Sequence, residues 1–435
     1  MKKKIFALTT LGCKVNQYET EVIREDLLDA GCVEADFKKR ADIYVINTCT
    51  VTQKTDKESR RLIRDAYRLN PKAKIVVTGC YVQKDADDIK NIDGVSLLVR
   101  NEDKFRIAEL LNTQMRPAAQ RDKRYAGDHG IRDFTGHEKA FVKIQDGCDN
   151  YCSFCKIPLV RGGPKSRSLN SILDEIDRLG DGGFKEIVLC GICLGKWGQD
   201  MGIKGGLADV LEGILKIDKD FRIRLSSIEP YYVTDRLLKI ILKSERVCCH
   251  LHIPLQSGDD HILRLMNRRY TSSGFLKLIN RIRCRIPDIA ISTDVMVGFP
   301  GEEDRNFRNT VKLARKARFS RIHIFSYSPR QGTKAAGFPY APDRSRIGQR
   351  VRCLENINQK MSLAYAKAFL HKRLDVLVEN KRDRLTGHLT GYTGNYINVI
   401  LRNDKRGNII GRILPVRIEK VTNSNIIARI ITFKN

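Results

Sequence analysis

No stretch of this chain approaches the run of about 18 apolar side chains that a membrane-spanning helix needs. The start, MKKKIFALTT, is basic, but its apolar run is too short and broken for a secretory signal, so a reducing, cytoplasmic setting is expected. Proline is sparse, at 12 residues, and apolar residues reach 42%, which excludes a disordered chain. Acidic charge is also scarce: 51 Asp plus Glu face 79 Lys plus Arg, a formal net of +28. That excess points to a polyanionic partner, nucleic acid before a membrane surface. The 13 cysteines are an odd number. In a reducing compartment they read as thiols, cluster ligands or core residues rather than a disulfide framework.

What is present divides into three parts, as 435 residues allow. Residues 4–10, 42–48, 74–79 and 95–99 read as short apolar strands, with helical periodicity over 18–30 and 57–69. This is the pattern of a parallel sheet with helices on both faces, over residues 1–113. A polar, charged linker is expected over 114–136. Strand–helix alternation resumes over 137–370, with strands starting near Ala140 and ending near Cys190, Ser227, Pro254, Val297 and Tyr327. Six such units suggest a partial (β/α)6 barrel rather than a closed eight-fold one. A long basic helix from 344 to 369 ends it. Residues 371–435 alternate apolar and polar side chains between Gly and Asn turns, which reads as a small OB-like all-β barrel. They carry 13 Lys plus Arg against 5 Asp plus Glu, and basic barrels of this kind track nucleic-acid backbones.

The cysteines fall into two sets. Cys13, Cys49 and Cys80 each lie just past a strand of the first sheet. Carboxyl ends of parallel strands share one edge, where ligands bind, so three residues distant in sequence should converge. The second set, Cys148, Cys152 and Cys155, has the spacing C-x3-C-x2-C and follows the first strand of the central part. A structural zinc would seek a fourth Cys or His. Four cysteines close a [4Fe–4S] cluster, whereas three leave one iron open.

The segment CDNYCSFCKIP resembles the signature of the radical S-adenosylmethionine (SAM) superfamily, including the aromatic Phe154 before the last cysteine. The whole chain resembles the methylthiotransferases of that superfamily. In them a flavodoxin-like N-terminal sheet, a radical SAM barrel and a C-terminal TRAM barrel follow in this order. LGCKVNQYETE and NTCTVT are most similar to the tRNA enzymes acting on N6-threonylcarbamoyladenosine. The alternatives are isopentenyladenosine in tRNA, an aspartate of a ribosomal protein, or an RNA-binding iron–sulfur protein without catalysis.

The resemblance implies two [4Fe–4S] clusters, one on Cys13, Cys49 and Cys80 and one on Cys148, Cys152 and Cys155. It implies one SAM that donates methyl to a sulfur held on the first cluster. A second SAM binds the second cluster and yields a 5′-deoxyadenosyl radical that attacks C2 of the adenine at position 37. A tRNA anticodon stem-loop, a flavodoxin- or ferredoxin-like electron donor and a monomeric state go with it. By motif match Glu229, Gln256 and Asp294 are candidate SAM contacts. Arg161 and Arg167 are candidates for a SAM carboxylate or a tRNA phosphate. Lys165 stands where the family shows Arg, keeping the charge without the fork. Cys190 and Cys193 form a C-x-x-C that taken alone suggests a redox pair, but it ends a strand rather than opening a helix, so that role is disfavoured.

Overall fold

The computed structural model describes residues 3–111, 130–339, 342–402, 408–423 and 425–431. Its first unit is a five-stranded parallel sheet. The strands are β1 (Ile5–Thr10), β2 (Val33–Glu34), β3 (Ile43–Thr48), β4 (Lys74–Gly79) and β5 (Val95–Val99), in the order β2-β1-β3-β4-β5. This is the flavodoxin-like order, with its topological switch between β1 and β3. The helix Lys14–Asp29 follows β1. It begins earlier than its apolar periodicity alone suggests, because Cys13, three residues past the end of β1 and in extended conformation, serves as N-cap. Val15, Tyr18 and Val22 on this helix join the core of the central unit, while Ile23 and Leu27 join the core of the first sheet. One helix therefore belongs to two cores.

The central unit contains β6 (Ala140–Asp146), β7 (Lys165–Ser166), β8 (Glu186–Gly191), β9 (Arg222–Leu225), β10 (His250–His252), β11 (Ala290–Val297) and β12 (Arg321–Ser326). β6, β8 and β9 are parallel, as are β10, β11 and β12, and β7 is a short antiparallel edge on β6. Parallel bridges Ile223–Val247 and Ser227–His252 join the two sheets. The result is the expected open barrel of six parallel strands. Its helices start at caps the sequence supplies: the side chains of Ser168, Thr234, Asp259 and Thr271 each accept from a backbone N–H of the first turn.

The third unit is a closed barrel of β13 (Arg373–Arg382), β14 (Leu389–Thr393), β15 (Asn398–Arg402), β16 (Ile413–Val421) and β17 (Ile426–Ile430). A buried carboxylate fixes it to the central unit. Glu186 accepts from Arg222 Nε at 2.7 Å and from Arg224 Nε at 2.8 Å. The two guanidinium groups then donate onward to carbonyls of Asp375, Tyr392, Thr393 and Gly394. Burial alone would raise the Glu186 carboxyl, but Arg224 and then Arg222 overcome it and hold it down at about 2. A depressed carboxylate stabilises the fold above its unfolded value of 4.5 and loses that contribution as pH falls toward 2. Glu186→Gln should therefore lower stability by about 3–5 kcal/mol at pH 7, because two guanidinium groups are left buried without their anion. The difference from wild type should shrink as denaturation is followed into acid.

Of the expected linker 114–136, residues 114–129 lie outside the described residues. Residues 130–136 are anchored at two points. Ile131 and Phe134 are buried in the central core. The Arg132 and Asp133 backbone N–H groups both donate to Glu25 Oε1, at 2.7 and 3.0 Å. Two well-spaced apolar residues were enough to turn a polar segment into a strap across both units. Among the described residues no helix is long and apolar enough to cross a membrane.

Candidate active site

Cys13, Cys49 and Cys80 converge at the carboxyl edge of the first sheet, at its switch point. Two glycines permit this. A side chain at Gly12 (φ +99°) would lie 2.7 Å from Cys49 Sγ, and one at Gly79 (φ +100°) would strike the Thr48 carbonyl. Polar side chains bind the strand ends together. Asn16 Nδ2 donates to the carbonyls of Leu11 (2.9 Å) and Thr48 (3.0 Å), Asn47 Nδ2 to that of Asn16 (3.0 Å), and Thr48 Oγ1 to that of Thr78 (2.6 Å). Cys49 and Cys80 are buried, while Cys13 opens onto a cavity.

Cys148, Cys152 and Cys155 lie on the loop after β6. The Cys148 N–H donates to the Gly162 carbonyl (2.9 Å) and the Cys155 N–H to that of Cys152 (2.9 Å). Gly147 (φ +68°) passes so close to Gly163 that no side chain fits there. Arg268 Nη1 donates to Cys152 Sγ at 3.2 Å and its other nitrogen pairs with Glu229. A hydrogen bond from Cys193, then the Asn150 backbone and Lys196, outweigh burial and draw the Cys148 thiol down to about 6. Thiolate is the form that ligates metal.

The two loops are tied to each other across the unit boundary. Arg161 Nε donates to Cys80 Sγ at 3.3 Å, while its other nitrogens reach Glu19 (2.9 Å), Asp146 (2.9 Å) and Asn16 (2.5 Å). Glu19 also accepts from Lys104 (2.6 Å) and Lys143 (3.1 Å). Lys156 pairs with Asp85 at 2.6 Å, and Arg330 donates to Thr50, beside Cys49, at 2.6 Å. The Glu19 network holds three cations, Arg161, Lys104 and Lys143, against two carboxylates. Among the described residues no three His, Cys, Asp or Glu side chains close on a single-ion site. Three soft sulfur donors at each site suit an iron–sulfur cluster with one iron left open better than a structural zinc, which takes four ligands.

A cavity of about 750 Å³ lies between the Cys13 edge and the barrel; Ile157 beside the second cysteine loop reaches it, and Cys152 and Cys155 line a separate pocket of about 330 Å³. The cavity is lined from all three units: Cys13, Lys14 and Val51 from the first, Cys190, Arg224, His252 and Asp294 from the barrel, and Tyr396 from the C-terminal barrel. Its size is that of a small-molecule or nucleobase site. Tyr396 is held at φ +63°, stacked 5.0 Å from Tyr392 and 4.7 Å from His250, with the Arg224 guanidinium 4.5 Å from its ring centre. A second, larger groove of about 940 Å³ runs along the C-terminal barrel and shares His250, Ser292, Arg321 and Tyr396 with the cavity. Lys381, Arg382 and Arg384 line it.

The three candidate SAM contacts are placed differently. Asp294 lines the cavity and lies 3.1 Å from His252 Nε2. Glu229 stands one side chain from Cys152, through Arg268. Gln256 takes φ +61° and hydrogen-bonds by its backbone to both neighbours of Val295, Asp294 and Met296. Arg161 and Arg167 are corrected: neither is free for a SAM carboxylate or a tRNA phosphate. Arg161 is consumed by the Glu19 network. Arg167 is buried and donates to Tyr18, Glu175 and the Lys143 carbonyl. Lys165 is exposed at the edge of β6. The C-x-x-C pair is placed in the site after all, Cys190 in the cavity wall and Cys193 against Cys148, and Arg268 is a residue that spacing did not single out. Cys190 was findable, because it ends a barrel strand as Cys13, Cys49 and Cys80 follow theirs.

Residues 142–314 match the Radical SAM superfamily, residues 367–431 the TRAM domain, and residues 5–100 a model described as uncharacterized protein family UPF0004. The radical SAM methyltransferase TsrM of Kitasatospora setae shares the fold at a TM-score of 0.58 and 16% identity, over 77% of each chain. Barrel, triplet and cavity thus define a radical SAM enzyme, whose cofactors include an iron–sulfur cluster and SAM. The threonylcarbamoyladenosine tRNA methylthiotransferase MtaB of Bacillus subtilis is 37% identical over 95% of this chain and 93% of its own length. That of Thermotoga maritima is 36% identical over 98% and 96%. A tRNA-2-methylthio-N(6)-dimethylallyladenosine synthase of Acetivibrio thermocellus is 33% identical over 97% and 89%. The chain belongs to the radical SAM methylthiotransferases of the MtaB type.

Proposed function

We propose that this enzyme adds a methylthio group to C2 of N6-threonylcarbamoyladenosine at position 37 of tRNA. The observation that carries the reading is the single cavity reached by Cys13, Asp294 and Tyr396. A sulfur-holding edge, a SAM-binding barrel and an RNA-binding barrel open onto one space. Cys148, Cys152 and Cys155 would hold one [4Fe–4S] cluster, and Cys13, Cys49 and Cys80 a second. Bound there, the first cluster supplies the electron that cleaves SAM and the second holds the sulfur.

The protein's own work is placement. Lys156, Arg161 and Arg330 fix the two cysteine loops relative to each other, so the distance between them does not depend on a hinge. Asp294 and Glu229 line the approach to SAM, with Gln256 at the strand crossing beside them. The basic groove carries the anticodon stem-loop by its phosphates, and Tyr396 at the shared wall takes a flipped base by stacking. A flavodoxin- or ferredoxin-like donor, a monomeric state and a cytoplasmic setting accompany this reading. The anaerobically reconstituted chain, given SAM and reductant, should convert tRNA carrying N6-threonylcarbamoyladenosine to its 2-methylthio form, read by nucleoside mass spectrometry. Methylthio product only on isopentenyladenosine would overturn the substrate.

A further inference from the structure

Four cations line the shared cavity, and three of them have other employment or another place. Arg224 is bound to Glu186 and to the carbonyls of Thr393 and Gly394. Lys139 pairs with Glu379 at 2.7 Å. Arg321 is exposed, on the rim that the cavity shares with the basic groove. Lys14 differs from all of them. It is the first residue of the helix after Cys13, half-buried, with its Nζ 6.0 Å from the Phe141 ring centre. It makes no ion pair with any carboxylate among the described residues. The cavity's own carboxylates are occupied, Glu186 by two arginines and Asp294 by His252.

A half-buried cation with no carboxylate partner is placed to take one from a ligand, which offsets the cost of its burial. Adenine is neutral, as is an isopentenyl substituent. A threonylcarbamoyl substituent ends in a carboxylate. Resting on the substrate reading above, we propose that Lys14 is the residue that selects the substrate: its ammonium pairs with the carboxylate of the N6-threonylcarbamoyl group. The same contact orients the base. Lys14 is adjacent in sequence to Cys13, so anchoring the N6 substituent here holds the adenine beside the sulfur-bearing edge. A lysine suits the task because one charged point on a long stem tolerates the several rotamers of a threonyl tail.

The test uses the full, reconstituted chain and two anticodon stem-loops that differ only at position 37, one with N6-threonylcarbamoyladenosine and one with plain adenosine. Lys14→Gln should weaken binding of the first by about 10- to 100-fold, the range for loss of a charge-assisted hydrogen bond, and leave the second unchanged. Lys14→Arg should restore most of the loss. Iron and sulfide content should match wild type. An equal loss on both stem-loops, no loss on either, or a fall in cluster content would overturn the assignment; the last would make Lys14 a partner of the cluster instead. Arg321→Gln should weaken both stem-loops alike, and a selective loss there would move the role to Arg321. If wild type itself binds both alike and forms no methylthio product, the substrate reading fails with the assignment. If wild type discriminates and Lys14→Gln still does, only the role of Lys14 fails.

Discussion

Replacing Cys49 with alanine should leave 5′-deoxyadenosine formation running while methylthio transfer to tRNA falls to the level of a protein-free control. The reason is spatial. Cys49 follows β3 of the first sheet, and it is tied to the Cys148 loop indirectly, through Thr50 and Arg330, the Glu19 network and the Lys156–Asp85 pair. Burial pushes the free Cys49 thiol up to about 11, so without bound metal it is protonated and inert. Alanine removes one sulfur donor from a three-thiolate edge and leaves the triplet on the barrel complete. Cys152→Ala is the necessary contrast, since it should abolish both products. Chromatography of 5′-deoxyadenosine beside mass spectrometry of the nucleoside separates the outcomes. Loss of SAM cleavage in Cys49→Ala would show that the two cysteine sets do not work separately.

A loss of stability as large as that at Glu186 is expected at Glu19. Its carboxylate is 1% exposed and meets Arg161, Lys104 and Lys143. Burial alone would raise its pKa, but Arg161, then Lys104 and Lys143, hold it well below the ordinary carboxylate range. Glu19→Gln keeps the shape and removes the charge, leaving three buried cations against Asp146 alone. About 3–5 kcal/mol should be lost at neutral pH, seen as a lower urea midpoint. The sign with pH follows from the depressed value. The stabilisation is complete above the unfolded carboxylate pKa of about 4.3 and disappears as pH falls below it. Wild type should therefore lose stability in acid more steeply than the variant. A pH-independent difference would mean that packing, not charge, is at stake.

The parts legible in the sequence were those governed by local periodicity or by a strand end. The helices Leu207–Leu215 and Asp235–Lys243 have the bounds that their apolar spacing indicates. The five-stranded barrel followed from alternation and turn residues. Cys13, Cys49 and Cys80 were found because carboxyl ends of parallel strands share an edge whatever the loop details. Arg161 and Arg167 were misjudged for a physical reason. A basic residue beside a cluster loop looks available for an anion until its partners are known, and Glu19 lies 142 residues away from Arg161. No window on the sequence contains both. The helices Cys80–Lys84 and Ile157–Arg161 were missed because five residues do not complete two helical turns, too few to show a period. Tyr396 carries no local signal, and Lys14 stands in the motif LGCKVN with nothing there to give its own role. Their importance comes from facing one cavity.

The helix Lys14–Asp29, shared between two cores, bears on how faithfully the enzyme couples its two chemistries. Any fluctuation that carried Cys13 away from the barrel would have to pull Val15, Tyr18 and Val22 out of one core or Ile23 and Leu27 out of the other. Such openings cost a large part of the global unfolding free energy, so they are rare on the time scale of turnover. The separation between radical source and sulfur store is thereby set by a rigid spacer. On the proposed assignment of the two cysteine sets, a fixed separation limits the cycles in which SAM is consumed and no sulfur is delivered.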